Sequence, residues 1–275
     1  MIISLLTDAP KHNLALMKLS AWHKENGDHV SLNKPLWPAD KRYASILFDW
    51  NCNNFFADEY AGIGYNFEQL SPQIEALRPD YSLFNLDYSL GYTYRYCPRK
   101  CPFCKVWKME KNKSHKSIWD FHSPNMKKIC LLNNNTFSDS RWKETFQEIW
   151  DAKLTVIDEN GYDLRLLNEE KANTLRKTKF QGYIHYAWDQ MQDEANIIRG
   201  LKIAPKGHIY VLIGFDTTEE EDIYRCQKIV DYGHDPYIMP FNQSTQEKRF
   251  KRFIDSFMWR KFKTIEKAWR EYGNL

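Results

Sequence analysis

Residues 96–104 read Tyr-Cys-Pro-Arg-Lys-Cys-Pro-Phe-Cys, which places Cys97, Cys101 and Cys104 in one tight loop at the spacing Cys-x3-Cys-x2-Cys. Thiolates are soft ligands suited to iron–sulfur clusters or zinc. A cluster of four irons usually takes four cysteines. Three in a single loop leave one iron without a protein ligand, so a small molecule can bind there, and this favours chemistry over plain electron storage. The competing reading is a zinc knuckle completed by His115 or His122. Structural zinc uses a closed set of four ligands, commonly two pairs, and the chain has no second Cys-x2-Cys. A disulfide within the loop would strain the geometry the bond requires.

The other three cysteines, Cys52, Cys130 and Cys226, are far apart in sequence. Cys130 lies in an apolar run and Cys226 in a helical one, as buried free cysteines do, so a single cluster is expected. Six cysteines in 275 residues, with no basic lead-in or cleavage site in Met1–Asp8, argue for a reducing, cytoplasmic location. The start reads as a buried first strand. No apolar run approaches the length of about 18 needed to span a membrane. A net charge of +3 is too mild to imply nucleic acid by itself.

Strand and helix patterns alternate along the chain. Ile2–Leu6, Val30–Leu32, Ile46–Asp49 and Tyr81–Leu86 read as strands. Leu14, Met17, Ala21 and Trp22 recur at helical spacing with Gly27 as a stop, and a short helix starts at Ser71 and ends by Pro79. From residue 89 the strand candidates are Tyr92–Tyr94, Ile129–Leu132, Leu154–Ile157, Tyr183–Ala187, His208–Phe215 and Pro236–Met239. Helices are expected over Ser140–Trp150, over Asn168–Lys177 with Asn168 as cap, and from Thr217 or Thr218 into Glu219, Glu220 and Glu221. The pattern predicts an α/β chain: a small Rossmann-like α/β layer over 1–88, a partial TIM-like (β/α)6 barrel over 89–242, and a basic helical extension over 243–275. In such barrels the site lies at the C-terminal ends of the strands.

The cysteine spacing, with aromatic Phe103 before the last cysteine, resembles the radical S-adenosylmethionine (radical SAM) superfamily. Gly62-Ile63-Gly64-Tyr65 and Gly91-Tyr92-Thr93-Tyr94-Arg95-Tyr96-Cys97 resemble the approach to the cluster loop in one branch of it. The resemblance implies a partial barrel, a [4Fe-4S] cluster on Cys97, Cys101 and Cys104, and SAM chelating the open iron. It places Phe103 by the adenine and Asn133, Asn134 and Asn135, after the second strand, at the SAM amino group. Family members often carry Gly-Gly-Glu there; here asparagine carbonyls would accept from the ammonium. Arg165 is expected to clamp the SAM carboxylate, or else to pair with Glu169 or Glu170 at the surface. Asp189 is expected to hold a ribose hydroxyl or to cap a helix. Gly214 would let the backbone approach adenine, or serve as a turn glycine. Met239 would supply an apolar wall.

The first layer resembles the cobalamin-binding domains of some radical SAM enzymes, whose ligand motif is Asp-x-His-x-x-Gly. Here the string is Asp8-Ala9-Pro10-Lys11-His12-Asn13, so His12 is one place too far, and a degenerate domain without cobalamin is expected. The reading as a whole predicts SAM cleavage to a 5′-deoxyadenosyl radical, driven by a flavodoxin- or ferredoxin-like one-electron donor. The basic, tryptophan-bearing segment 105–128 makes a nucleotide or nucleic-acid base the first substrate expectation, with a peptide or small metabolite close behind. A zinc-bearing nucleic-acid-binding module without catalysis, or a degenerate scaffold, are the alternatives. In the tail, Phe250, Phe253, Ile254, Phe257 and Trp259 fall largely on one helical face and are expected to pack, with the charges solvated.

Overall fold

The computed structural model describes residues 1–66 and 68–272. The chain is α/β with parallel sheets, and it divides into two compact units. Met1–Tyr92 with Lys116–Cys130 form one; Thr93–His115 and the chain from Leu131 onward form the other.

The first unit begins with β1 (Ile2–Thr7), α1 (Leu14–Glu25), β2 (His29–Leu32), β3 (Lys41–Ser45), β4 (Glu59–Ala61) and α2 (Pro72–Glu75). Its sheet runs β2-β1-β3-β4, all parallel. Ile3 and Leu5 pack with Leu16 and Leu19 of α1 on one face, and Leu6, Ala44 and Ile46 cluster separately. Asn13 fixes the start of α1. Its Oδ1 accepts from Leu16 N (3.1 Å), and its Nδ2 donates to the Thr7 and Ser45 hydroxyls. Gly62 has φ +109°, and a Cβ there would collide with the Ile46 backbone, so glycine is required. β5 (Ser89–Gly91) neighbours β6 (Lys128–Leu131). His12 bonds the Tyr88 hydroxyl at 2.9 Å.

Three expected strands shift or vanish here. Tyr81–Leu86 is a 3-10 turn capped by Asp80 and ending in left-handed Asn85. The strand placed at Ile46–Asp49 is Lys41–Ser45, and the one placed at Tyr92–Tyr94 is Ser89–Gly91.

The second unit contains α3 (Val106–Met109), α4 (Trp142–Asp151), β7 (Thr155–Ile157), α5 (Glu169–Lys177), β8 (Ile184–Ala187), α6 (Glu194–Ile203), β9 (Gly207–Ile213), α7 (Glu219–Asp231), β10 (Asp235–Pro240), α8 (Thr245–Asp255) and α9 (Ile265–Tyr272). β8, β9 and β10 form a parallel sheet with β9 central. Along β9, Ile209, Val211 and Ile213 are buried while His208, Tyr210 and Leu212 stay half-exposed. α7 lies against β9 and α8 against β10, covering the buried face. α7 opens with a full capping box: Thr218 and Glu221 satisfy each other's backbone N–H groups. Asn168 caps α5 through Lys171 N at 2.9 Å.

In the tail, Phe250, Phe253, Ile254 and Trp259 join the core with Ile265, Ala268 and Trp269. Phe257 departs from the expected face: it is left-handed (φ 55°) and exposed. Three of the basic groups are engaged locally. Arg249 lies over the rings of Trp269 and Tyr272, Lys251 over Tyr237, and Arg260 pairs with Asp235. Residues 273–275 of the expected extension lie outside the described residues. Among the described residues no helix is long and apolar enough to cross a membrane.

Candidate functional site

The cysteine loop belongs to the second unit. Cys97, Cys101 and Cys104 are free and half-buried. A turn closes the loop through Cys104 N to Cys101 O (3.0 Å), and Trp107 Nε1 donates to the same carbonyl (3.2 Å). Burial pushes the Cys101 thiol up, Arg165 pulls it down, and the other two thiols and Asp189 push it up again. Cys104 is likewise raised by burial, with Cys97 and Asp189 adding to it. The three sulfurs, Arg165 and Asp189 therefore share one electrostatic neighbourhood.

The asparagine run supplies three different contacts. Asn133, almost fully buried, accepts through Oδ1 from Thr93 N (2.9 Å) and Tyr94 N (3.0 Å) and donates to the Thr93 hydroxyl (2.8 Å). It braces the entry to the loop, and its Oδ1, expected as an acceptor for an ammonium, is already engaged by two backbone N–H groups. Asn134 Nδ2 donates to Arg95 O. Asn135 Nδ2 donates to Asp163 Oδ2 (3.0 Å) and lies 3.8 Å from Cys97 Sγ. Asn135 Oδ1 is buried with no hydrogen-bond partner. A buried carbonyl left without a donor is costly, and this one belongs to the amide whose Nδ2 lies toward Cys97.

Arg165 does not reach Glu169 or Glu170. Its Nε and Nη2 grip Asp163 (2.7 and 3.1 Å), and its Nη1 holds Asp193 Oδ2 (2.6 Å). Burial works against its charge, but the two carboxylates hold the guanidinium above its ordinary pKa. Three of the five N–H donors of Arg165 are thus committed to acids. Asp163 also meets Arg99 Nε at 3.3 Å. Burial raises the Asp163 carboxyl, yet Arg165, Arg99 and Asn135 together hold it below the usual range. Asp163 is one residue of this network that the sequence did not single out; its signal there is the Asp-x-Arg spacing.

Asp189 caps no helix; α6 starts at Glu194, after Asp193. Its Oδ1 accepts from Leu212 N at 3.3 Å. Phe103 meets Phe215 edge-on (5.6 Å, 74°), and Phe215 meets Phe241 likewise (4.9 Å, 77°). Gly214 has φ +77°, and the space a Cβ would need is filled by the Glu247 carboxylate. Met239 pairs in register with Leu212 and is exposed on the same sheet face.

Burial pushes the Asp189 carboxyl up to about 6, against the Leu212 hydrogen bond and the charges of Arg225 and Arg165. Unfolded, it would titrate near ~3.9. The folded state therefore holds this proton more tightly, and its stabilising contribution is full below about pH 4 and fades as pH rises to about 6. In the cluster-free protein, urea midpoints across that window should fall more steeply for wild type than for Asp189→Asn. The difference accumulated between pH 4 and 6 should be about 2 kcal/mol. Parallel slopes would show that the carboxyl is solvated.

Among the described residues no three His, Cys, Asp or Glu side chains are grouped so as to hold a metal ion. The residues present that could serve a thiolate-bound group are three half-buried thiols in one loop and the unpartnered amide oxygen of Asn135, whose Nδ2 is 3.8 Å from Cys97 Sγ. The histidines weighed as a fourth zinc ligand each use Nδ1 in a hydrogen bond, which leaves Nε2 as the other ring nitrogen. His115 Nδ1 bonds Asp139 (2.6 Å), and within the first unit His122 Nδ1 bonds the Ser89 hydroxyl (2.9 Å). The chain matches no protein-family model, and no curated protein matches its sequence.

Proposed function

We propose that the chain is a radical SAM enzyme, with Cys97, Cys101 and Cys104 holding a [4Fe-4S] cluster. The observation that carries the reading is the three-thiol loop flanked by the unpartnered Asn135 Oδ1. When bound, the cluster and SAM supply reductive C–S cleavage and a 5′-deoxyadenosyl radical. The chain's own residues do the positioning. Asn135 Oδ1 would accept from the SAM ammonium. Phe103, Phe215 and Phe241 offer an aromatic wall to the adenine. Asp189, when ionised, would accept a hydrogen bond from a ribose hydroxyl, and Gly214 and Met239 line the same strand ends. The Asp163–Arg165–Asp193 network holds the loop that carries these contacts, and Arg99 fastens the cysteine loop to it.

The succession of β5 to β10, each followed by a helix or turn, supports a partial (β/α)6 barrel as the finer architecture. The one-electron donor is of flavodoxin or ferredoxin type, and the location is cytoplasmic. Anaerobic reconstitution with iron and sulfide, dithionite reduction and addition of SAM should yield 5′-deoxyadenosine. A chain that retains neither iron nor sulfide but binds one equivalent of zinc overturns the proposal.

A further inference from the structure

The half-exposed face of β8, β9 and β10 is a row of rings. Parallel register sets His185 beside His208 and Tyr210 beside Tyr237. Tyr183 stacks on His208 (centroids 3.8 Å, 19°), His185 lies parallel to Tyr210 (5.1 Å, 3°), and Tyr210 meets Tyr237 edge-on (5.5 Å, 76°). Asp158, the residue after β7, comes up against this row. Its Oδ2 accepts from His185 N (2.6 Å), and its Oδ1 accepts from Gly161 N (3.0 Å).

The same Oδ2 lies 3.5 Å from His185 Nδ1, and the carboxylate is 6% exposed against 19% for the imidazole. His185 Nδ1 is buried and makes no hydrogen bond. Gly161 has φ +77°, and a Cβ there would sit 2.9 Å from His185 O, so the loop lies flat along the His185 main chain. Five residues past Asp158, this loop ends in Asp163, which bonds Asn135 beside Cys97. A single loop thus supports the thiol side at one end and the imidazole at the other.

We propose that His185 is the acid–base group for the substrate of this site and Asp158 its positioning residue. The substrate class is a planar ring carrying an acidic N–H or O–H, laid on the ring face around Tyr210. A ring nitrogen with an orphaned Nδ1 beside a buried carboxylate is set to carry its proton on Nδ1, leaving the Nε2 lone pair free. In the step, a new Nε2–H bond forms and the substrate N–H or O–H bond breaks. The electron pair stays on the substrate atom, and the imidazolium charge is balanced by Asp158. Nothing is oxidised or reduced. The assignment rests on the radical SAM reading only for the reaction it serves.

The test uses the chain without cluster or substrate. Diethylpyrocarbonate attacks the free lone pair of a neutral imidazole, and mass spectrometry reads each histidine separately. Carbethoxylation of His185 should slow about tenfold in Asp158→Asn, the lower end of what losing the carboxylate behind a metal-bound imidazole costs. Exposed His29 should react at an unchanged rate. Equal His185 rates would show that Asp158 only braces the backbone, and would overturn the pair. If Asp158→Asn unfolds, with buried His234 accelerating too, the decision passes to wild type alone. There, nitrogen chemical shifts of labelled histidine should show the Nδ1–H tautomer at His185, and the Nε2–H tautomer overturns the proposal. Deoxyadenosine formed with the wrong tautomer sinks the pair and spares the radical reading. The right tautomer in a chain that takes no cluster does the reverse.

Discussion

Replacing Cys101 with alanine is expected to abolish retention of iron and sulfide after anaerobic reconstitution, and with it formation of 5′-deoxyadenosine. The loop has three thiols and no spare. Cys226 is fully buried and its thiol is pushed up by burial; Cys130 is also fully buried, and Cys52 donates to Gly64 O at 3.3 Å within the first unit. A buried, protonated thiol is a poor ligand. Loss of an outer-shell partner alone costs about 10- to 100-fold in metal affinity or activity, so loss of a ligand should exceed about a hundredfold. Cys97→Ala and Cys104→Ala should behave alike. Cys226→Ala should keep both iron and product. An alanine variant at 101 that retains the visible absorption of a cluster and makes deoxyadenosine would show that the loop is not the ligand set.

The expected strength of that result reflects how plainly the motif is written: it lies in one stretch of chain and needs no tertiary knowledge. The same locality made the α7 capping box and the β8 to β10 strands legible, since Thr218 and Glu221 are three apart and Ile209, Val211 and Ile213 alternate. Where reading failed, side chains competed with the backbone. Tyr81–Leu86 has apolar strand-like alternation, but Asp80 Oδ1 accepts from Ser82 N (3.1 Å) and bends the chain into a 3-10 turn. Buried Tyr81 then spends its hydroxyl on Phe121 O at 2.6 Å. α6 escaped notice because Gly200 weakens its helical pattern; the glycine is there because a Cβ would strike Leu164 O. Asp158 and Asp163 could not be ranked above other acids from sequence, because their weight comes from His185, Asn135 and Arg99, between 27 and 64 positions away. Arg165 was found by position, but its partners were misassigned for the same reason.

Arg225→Met should be the most destabilising single change at the strand ends, by about 3–5 kcal/mol. Arg225 is fully buried in α7. Its Nη1 donates to Trp188 O (2.7 Å), and its Nη2 donates to Leu212 O (2.7 Å), to Asp222 Oδ1 and to the Thr217 hydroxyl (3.3 Å). One guanidinium therefore ties the ends of β8 and β9 together around Asp189. Methionine keeps much of the volume but strands a buried carboxylate and two carbonyls. Burial already pushes the Asp222 carboxyl up, and Thr217 and Arg225 are what pull it back. Without Arg225, Asp222 must either stay charged in apolar surroundings or take up a proton. The double variant Asp222→Asn with Arg225→Met removes the stranded charge and should regain about 1–3 kcal/mol, a coupling typical of groups in one network. Urea midpoints of the four members of the cycle give both numbers. A single-variant loss under about 1 kcal/mol would mean that water reaches the guanidinium, and the strand ends would then owe their position to the apolar contacts of α7 alone.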